Sequence, residues 1–234
     1  MKIALLGYGK MGKAIEAVAQ KRGHEIVARI DKDNPNDSIT HADVAINFSV
    51  PSAATKNITD ALEQGVPVVC GTTGWLDQKD SIESLCKEKG GAFLYASNFS
   101  LGVNIFFALN EKLAHMMASH KQYRAAIEEV HHTEKLDAPS GTAITLAEGI
   151  LPNYEQSSWK LADEATTKDL PINAIRAPHV PGTHTVSYSS ETDNITIEHI
   201  AHNRDGFALG AVLAAEWIVG KSGIFSMRDV LDIN

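Results

Sequence analysis

Short apolar runs alternate with amphipathic stretches through the first half of the chain. Each run is long enough for one buried strand, and most are followed by glycine or small polar residues. The runs are KIALLG (2–7), HEIVARID (24–31), DVAINFS (43–49), VPVVCGTTG (66–74) and AFLYASNF (92–99). Residues 10–21, 51–65 and 77–89, between them, repeat apolar positions at helical spacing. This alternation predicts an α/β fold with a doubly wound parallel sheet covered on both faces.

One crossover is short for a helical connection. Residues 32–43 separate the second and third strands, and they include Asn34, Pro35, Asn36 and Asp37, which favour turns. A crossover normally takes a dozen or more residues when it contains a helix. We therefore expect a loop or a single helical turn in this segment.

The regular alternation of strand-like and helix-like segments ends after about residue 101. A long helix is predicted over residues 102–120, a strand over 123–132 and a short helix over 140–151, whereas the polar stretch 152–172 is interpreted as irregular. The apolar positions of the long helix are Ile105, Leu109, Leu113 and Met116. The pattern indicates a second domain of α+β type.

The last part of the chain supplies a hairpin and a final helix. Residues 183–203 predict two antiparallel strands around a turn at Asp193-Asn194. The apolar stretch 207–220 predicts a helix that returns to pack on the first domain. The predicted domains are residues 1–101 with 206–234, and residues 102–205.

Charge and cysteine content exclude several kinds of partner and site. The 234 residues carry a formal net charge of −8, so the overall field opposes nucleic acid, and an anionic ligand must be drawn in by local cations. Cys70 and Cys86 lack a CxxC or Cys/His ligand pattern and are interpreted as reduced structural thiols. No apolar stretch suits a signal-peptide core or a membrane span. We expect a cytoplasmic protein without nucleic-acid or membrane partners.

GYGKMG at residues 7–12 is a G-x-G-x-x-G motif in an informative context. It follows the first strand, opens the first helix, and precedes Asp31 at the end of the second strand. Gly7 permits a tight turn, Gly9 lets the backbone approach a pyrophosphate, and Gly12 allows close packing of helix and strand. The motif predicts a Rossmann-like domain that binds NADH or NADPH. A glycine-rich turn without a nucleotide is the alternative.

Asp31 and Lys32 bear on the choice of cofactor. Asp31 can accept hydrogen bonds from a ribose 2′-hydroxyl, which favours NADH, whereas Lys32 could pair with the 2′-phosphate of NADPH. We expect use of both cofactors with some preference for NADH. The alternative for Lys32 is a solvated surface lysine.

Three further loops follow predicted strands, at residues 48–51, 71–74 and 96–100. Ligands of open α/β sheets bind at the carboxyl ends of the strands, where these loops lie. The groups available to a nicotinamide carboxamide are those of Gly71, Thr72, Thr73, Ser97 and Asn98. Each loop taken alone is also explained as an ordinary turn, because turns favour the same residue types.

Residues 128–143, EEVHHTEKLDAPSGTA, gather groups suited to the reduction of an anion. Hydride transfer leaves negative charge on the acceptor, and histidine is the usual proton donor near neutral pH. His131 and His132 end a predicted strand, so their side chains point to opposite faces and only one sits squarely in a given cleft. Lys135 adds a fixed positive charge.

The DAPSGT turn completes this segment. If Ser140 caps the next helix, the N–H groups of Gly141 and Thr142 point outward at its start and form a carboxylate site. A metal site is the alternative for the paired histidines, but no ligating group other than Glu134 follows them at i+3 or i+4. We therefore predict a small anionic substrate and no metal.

This segment resembles the signature of the dihydrodipicolinate reductase family. GYGKMG, GTTG and SNFSLGVN also follow that family's pattern in order. The resemblance implies reduction of 4-hydroxy-tetrahydrodipicolinate to tetrahydrodipicolinate by NADH or NADPH, in the diaminopimelate route to lysine. It also implies a homotetramer built through the sheet of the substrate domain, which the alternating hairpin at residues 184–201 would suit.

The resemblance implies residue roles as well. His131 would be the proton donor or acceptor, and Lys135 would be a second proton donor or an electrostatic support. His132 would contact the substrate, and Gly141-Thr142 would hold one of its carboxylates. The implied cofactor-binding residues are Gly7, Tyr8, Gly9, Lys10, Met11, Gly12, Asp31, Lys32, Phe48, Ser49, Gly71, Thr72, Thr73, Ala96, Ser97, Asn98, Phe99 and Arg204.

Two departures from the family pattern concern the cofactor. The segment after Asp31 is shorter than in many members, and Lys32 stands where NADPH-tolerant members often have an arginine, whose fork binds phosphate more specifically. Two other functions share parts of the pattern. Another two-domain NAD(P) reductase, such as a relative of aspartate or homoserine dehydrogenase, would keep the fingerprint without the His-His-x-x-Lys segment. A nucleotide sensor would have no reason to keep His131 and Lys135 together.

Overall fold

The architecture is that of a computed structural model, which describes residues 1–32, 34, 37–203 and 205–233. The strands, in chain order, are β1 (Lys2–Leu6), β2 (Glu25–Ile30), β3 (Val44–Asn47), β4 (Val68–Cys70), β5 (Ala92–Tyr95), β6 (Arg124–His131), β7 (Ser158–Leu161), β8 (Asp169–Arg176), β9 (Gly182–Ser189), β10 (Asn194–Ala201) and β11 (Gly223–Phe225). The helices are α1 (Lys10–Lys21), α2 (Pro51–Glu63), α3 (Lys79–Glu88), α4 (Leu101–Met117), α5 (Gly141–Ile150), α6 (Asp205–Ile218) and α7 (Met227–Val230). The chain divides into two compact units, residues 1–104 with 205–234 and residues 105–204.

The first unit is built on a six-stranded sheet in the order β11-β5-β4-β3-β1-β2. All of its strand pairs are parallel. Side chains of β1 alternate between two cores: Ile3 and Leu5 enter one, and Ala4 and Leu6 enter the other. A parallel sheet buried on both faces confirms the predicted doubly wound α/β fold.

The helix α6 covers one core of the first unit. It packs against α1 and against β3, β4 and β5. Its apolar residues Ala208, Ala211, Val212 and Ala215 are fully buried. The nearly uninterrupted apolar sequence of this helix therefore reflects burial on several sides.

The short crossover between β2 and β3 has the expected form where it is described. Residues 32, 34 and 37–43 contain no helix or strand. The N–H of Ala42 donates to the carbonyl oxygen of Ile39 over 2.9 Å, which closes a turn. Pro35 and Asn36 lie outside the described residues.

The second unit is built on a five-stranded mixed sheet in the order β10-β9-β6-β8-β7. Strand β9 is antiparallel to β6 and β10, and β8 is parallel to β6 and β7. Alternation along β6 places Ala125, Ile127, Glu129 and His131 on the buried face, which packs against α4 and α5. The opposite face of β6, which includes Glu128, is more exposed.

Two interpretations made from the sequence were wrong. Residues 152–172, expected to be irregular, contain β7 and the start of β8. Pro171 and the polar residues around it hide the alternation there, although β8 pairs with strands on both sides. The tail at residues 223–234 predicted no element, yet it contains β11 and α7. At three and four residues, both are too short for a hydrophobic pattern to be recognised.

The apolar stripe of α4 faces outward in this chain. Ile105, Leu109 and Met116 are at helical spacing, as predicted, but 53%, 48% and 68% of their surface is exposed. The buried side of the helix instead includes Phe106, Ala114 and Met117, which join the core of the second unit. Across the described residues, no helix combines the length and apolarity that a membrane span requires.

Candidate active site

Three glycines shape the turn after β1. Gly7 has φ of +102°, and a Cβ on it would overlap the carbonyl group of Phe48. A Cβ on Gly12 would overlap the carbonyl oxygen of Gly7, whereas a Cβ on Gly9 would have no neighbour within 4 Å among the described residues. The turn therefore requires Gly7 and Gly12 for its own packing. Gly9 leaves the backbone open on one side.

The start of α1 is suited to an anion. Gly9 is the N-cap residue and cannot cap the helix with a side chain, and the first turn contains no acidic residue. The N–H groups of Lys10, Met11 and Gly12 therefore keep the partial positive charge of a helix start. Such a site binds phosphate groups, so this turn could hold the pyrophosphate of a dinucleotide.

Tyr8 belongs to a polar cluster that had not been recognised from the sequence. Its hydroxyl donates to the Glu16 carboxylate, which also pairs with Arg29. The Arg29 guanidinium lies 5.7 Å from the centre of the Tyr8 ring. Hydrogen bonds from Arg29 hold the pKa of the Glu16 carboxyl below its usual range. No local pattern links Arg29 to Glu16, because the two residues lie in different elements.

The loops after β3, β4 and β5 meet at one edge of the sheet. The N–H of Ser49 donates to the hydroxyl of Thr72 over 2.9 Å, and the rings of Phe48 and Phe99 lie 5.5 Å apart. The Phe48 ring also fills the space beside Gly71. Thr72 and Phe99 are buried, so their side chains mainly hold the loops together.

The other predicted cofactor residues differ in accessibility. Thr73 and Ser97 are exposed, and Ala96 and Asn98 are half-buried. The Asn98 side chain accepts the N–H of Ser100 over 2.9 Å, which fixes its orientation. These groups could contact a nucleotide at the carboxyl edge of the sheet.

Asp31 and Lys32 follow β2 at the same edge. The N–H of Lys32 donates to Oδ1 of Asp31 over 2.7 Å, which orients the carboxylate, and the Lys32 side chain is exposed. Arg204, also predicted to contact the cofactor, lies outside the described residues.

In the second unit, His131 ends β6 next to a fully buried carboxylate. Glu129 is 0% exposed and lies two residues earlier on the same face. One of its oxygens is 3.5 Å from Nδ1 of His131 and 3.6 Å from Nε2 of His184. The carboxylate also accepts the N–H of Ser140 and pairs with Arg176.

Burial and charge set the protonation states of this pair. Burial lowers the pKa of His131 to about 4, although the Glu129 charge opposes the shift. Burial alone would raise the pKa of Glu129, but His184 and Ser140 bring it down to about 2. At pH 7 the pair is therefore an ionised carboxylate beside a neutral imidazole.

Lys135 lies in the turn that follows β6. Its Nζ is 2.8 and 2.7 Å from the two carboxylate oxygens of Asp137. Arg176 braces this turn by donating to the carbonyl oxygens of Lys135 (3.3 Å) and Asp137 (2.6 Å). The ammonium charge lies close enough to help lower the pKa of His131, after the larger effect of burial. His132 is half-buried just beyond the end of the strand.

Ser140 caps α5, as predicted. Its hydroxyl accepts the N–H of Ala143 over 3.2 Å and lies 3.1 Å from Nε2 of His184. Gly141 is exposed and Thr142 is half-buried, so their N–H groups stand at the open start of the helix. This helix start could bind a carboxylate.

The same cluster is the candidate metal site among the described residues. Ligand atoms of Glu129, His131 and His184 all lie within 4.8 Å of one another. The Arg176 guanidinium, 3.2 Å from the Glu129 carboxylate, already supplies a positive charge there. Glu134, the neighbour considered from the sequence, is not part of this group. The absence of a metal stays a prediction.

Glu129, Arg176 and His184 were not among the residues named from the sequence. Glu129 could have been found, because alternation along a strand puts it on the same face as His131. Arg176 and His184 come from β8 and β9, which flank β6. Their positions depend on the strand order, which the sequence pattern does not contain.

Comparisons with known proteins agree along the chain. Residues 1–99 match the family described as dihydrodipicolinate reductase, N-terminus, and residues 102–231 match its C-terminus. A 4-hydroxy-tetrahydrodipicolinate reductase of Christiangramia forsetii is 55% identical over 234 residues, which cover 99% of this chain and 98% of the relative. Another, of Alkaliphilus metalliredigens, is 36% identical over 245 residues, covering 100% of both chains.

A solved structure shows the same fold. Dipicolinate-bound dihydrodipicolinate reductase from Paenisporosarcina sp. TG-14 covers 97% of each chain with a TM-score of 0.77, at 22% identity. The fold, the family match and the relatives define a nicotinamide-dependent oxidoreductase. The chain belongs to the dihydrodipicolinate reductase family, which confirms the resemblance seen in residues 128–143.

Proposed function

We propose that this chain reduces 4-hydroxy-tetrahydrodipicolinate to tetrahydrodipicolinate with NADH or NADPH, in the diaminopimelate route to lysine. The observation that carries the proposal is the grouping of a buried imidazole, an ammonium and an open helix start within residues 131–142, in a chain of this family. A ring with two carboxylates needs these groups for binding, charge stabilisation and protonation.

The first unit binds the cofactor in this proposal. The open backbone at Gly9 and the uncapped start of α1 fit a pyrophosphate, and Asp31 fits a ribose hydroxyl. When bound, NADH or NADPH supplies the hydride that the substrate ring accepts at C4 after loss of water. The further residues assigned to this site are Gly7, Tyr8, Lys10, Met11, Gly12, Lys32, Phe48, Ser49, Gly71, Thr72, Thr73, Ala96, Ser97, Asn98, Phe99 and Arg204.

The second unit binds the substrate and handles the proton. The N–H groups of Gly141 and Thr142 hold one carboxylate, and His132 contacts the ring. His131 delivers a proton to the carbon next to C4, and Lys135 stabilises the developing negative charge. Because His131 is neutral at pH 7 in this environment, the two negative charges of the substrate must raise its pKa.

The proposal includes a cytoplasmic homotetramer. On the sheet face opposite the buried Ile127 and Val186, the side chains of β6, β9 and β10 are half-buried or exposed, and β10 is an edge strand. That face presents Thr183, Thr185, Ser187 and Ile200, which suit pairing with another sheet. Light scattering after size-exclusion chromatography tests this directly, and a stable monomer would contradict the tetramer. The two buried free thiols are compatible with a reducing compartment.

A coupled assay tests the activity. Dihydrodipicolinate synthase, pyruvate and aspartate semialdehyde would generate the unstable substrate in the cuvette, and oxidation of NADH and NADPH would be followed separately. Oxidation that depends on the synthase product is the expected result. If neither cofactor is oxidised although the chain binds both, the proposed reaction is wrong.

A further inference from the structure

We propose that Glu129 is the positioning residue of His131. The buried carboxylate keeps a proton on Nδ1 of the imidazole, so that Nε2 is the nitrogen that exchanges a proton with the substrate. This inference rests on the proposed function, because it takes His131 as the proton donor. It adds one residue that orients the donor, Glu129, and one that leaves space for it, Gly182.

The Glu129 carboxylate is itself held in place. Both of its oxygens lie 3.1 Å from the N–H of Ser140, and Nη1 and Nη2 of Arg176 are each 3.2 Å from Oε1. A charge buried to this extent persists only if it is paired and hydrogen-bonded, as this one is. These contacts fix the position of the Glu129 carboxylate next to the His131 imidazole.

The geometry distinguishes the two nitrogens of His131. Nδ1 is buried, has no hydrogen-bond partner among the described residues, and lies 3.5 Å from a Glu129 oxygen. A proton on Nδ1 is attracted to this oxygen, whereas a lone pair there would be repelled. The distance is longer than in a good hydrogen bond, and such contacts often tighten when substrate binds. The Nδ1–H tautomer is therefore favoured.

Gly182 leaves room at the other nitrogen. A Cβ at this position would lie 3.1 Å from Nε2 and 3.3 Å from Cδ2 of His131. Gly182 begins β9 without a left-handed backbone, so its own conformation does not call for glycine. The missing side chain keeps Nε2 uncrowded, as a nitrogen that meets a substrate requires.

The same carboxylate links proton transfer to substrate binding. Ser140, whose N–H donates to Glu129, caps the helix start that we assign to a substrate carboxylate. His184 adds a further contact, since its Nε2 is 3.1 Å from the Ser140 hydroxyl and its ring is 4.9 Å from the His131 ring. Glu129 thereby fixes the proton donor relative to the anion site.

The test compares Glu129→Gln with Glu128→Gln in the coupled assay. Glu128 is the adjacent carboxylate on the opposite face of β6, where its partner is Asn173 at 3.0 Å. We expect Glu129→Gln to lower kcat about 100-fold, in the range of a lost acid–base function. We expect Glu128→Gln to change kcat less than twofold.

The pH profile separates positioning from a structural role. The titratable and charged groups that act on the His131 ring are Glu129, His184, Lys135 and Arg176. Removing the one negative charge among them makes protonated His131 less stable, so the alkaline limb of kcat should move to lower pH. Glu129→Asp, which keeps the charge, should return the limb towards that of the wild type.

The outcomes are distinct. If the wild type oxidises neither cofactor, the proposed function fails, whatever Glu129 does. If the wild type turns over and folded Glu129→Gln keeps its kcat within threefold with an unmoved alkaline limb, only the positioning role is wrong. If Glu129→Gln does not fold, Gly182→Ala decides. A tenfold or larger loss of kcat with unchanged NADH affinity supports Nε2 as the reacting nitrogen, and wild-type kcat overturns it.

Discussion

Arg22, just after α1, and Glu216, in α6, form a two-bond ion pair. The Nε–Oε1 and Nη2–Oε2 distances are both 2.8 Å, and Nε2 of His24 lies 2.6 Å from the same carboxylate. The two partners are 194 residues apart in the sequence. The pair therefore joins the first and last long helices of the first unit, which the sequence separates by the whole second unit.

Glu216→Gln should lower the free energy of unfolding by about 1 kcal/mol at pH 7, a value near the upper end for partly exposed ion pairs. Arg22 lowers the pKa of the Glu216 carboxyl, so its contribution is present above the usual carboxyl range and is lost as the pH falls through the folded-state pKa. Urea unfolding at pH 7 and at pH 3 measures this. An equal difference between wild type and variant at both pH values would contradict the ion-pair explanation.

Gly9→Ala and Gly12→Ala should separate cofactor binding from packing. A methyl group on Gly9 meets no atom of the described residues within 4 Å, so the unfolding free energy should change by less than about 1 kcal/mol. NADH affinity should nevertheless fall, because the pyrophosphate is expected to approach this Cα. Gly12→Ala must displace the Gly7 carbonyl and should lower both stability, by about 1 to 3 kcal/mol, and affinity.

Nucleotide titration followed by tryptophan fluorescence, with urea unfolding of the same samples, checks both variants. Gly65→Ala would not serve as a control for a glycine-to-alanine change. Gly65 has φ of +73°, so an alanine there would be strained for reasons unrelated to the cofactor. Unchanged NADH affinity in Gly9→Ala would place the pyrophosphate elsewhere.

Asp31→Ala should shift the cofactor preference towards NADPH. The Asp31 carboxylate repels a 2′-phosphate and can bind a 2′-hydroxyl, whereas Lys32 next to it is exposed and free to turn towards a phosphate. We expect kcat/KM for NADH to fall about tenfold, the value of one lost charged hydrogen bond, and the value for NADPH to stay or rise. Lys32→Ala should change the ratio in the opposite direction. Equal losses for both cofactors in Asp31→Ala would mean that Asp31 does not contact the 2′ position.

The parts of the fold that were predictable have a strong local signal. The six-residue glycine motif, the strands of the first sheet up to β5 and the Ser140 cap all follow from periodicity or capping chemistry. Strands β7, β8 and β11 form because neighbouring strands offer them hydrogen bonds, which no local pattern records. The conformation of these segments is therefore determined by pairing with neighbouring strands and not by the local sequence.

The candidate site divides in the same way. His131, Lys135 and the Gly141-Thr142 turn belong to one continuous segment, and their chemistry could be recognised together. The groups that surround them include Arg176 and His184. These two lie nearby because β8 and β9 are the neighbours of β6 in the sheet. The Glu16–Arg29 pair beside Tyr8 also joins two different elements, across 13 residues of sequence. Residues that support a site from other elements are thus the ones that a sequence pattern hides.

Lys135→Ala should lower kcat about 100-fold or more, because the charge that develops on the substrate loses its nearest ammonium. Lys121→Ala is the matched control, since Lys121 is an exposed lysine paired with Glu155 at 3.2 Å. Lys121→Ala should leave kcat and KM unchanged. Steady-state kinetics in the coupled assay measures both variants, and near-wild-type turnover by Lys135→Ala would remove Lys135 from the mechanism.

His131 should make the protein less stable in mild acid. Burial lowers its pKa to about 4 in the folded chain, against about 6.5 when unfolded, so the unfolded state binds more protons between these values. The free energy of unfolding should therefore fall as the pH drops from 6.5 towards 4, by about 2 kcal/mol from this group at pH 5. His131→Gln has no such proton to bind. Between pH 7.5 and pH 5 it should lose correspondingly less stability in urea unfolding, and equal losses in variant and wild type would show that His131 is not held neutral by the fold.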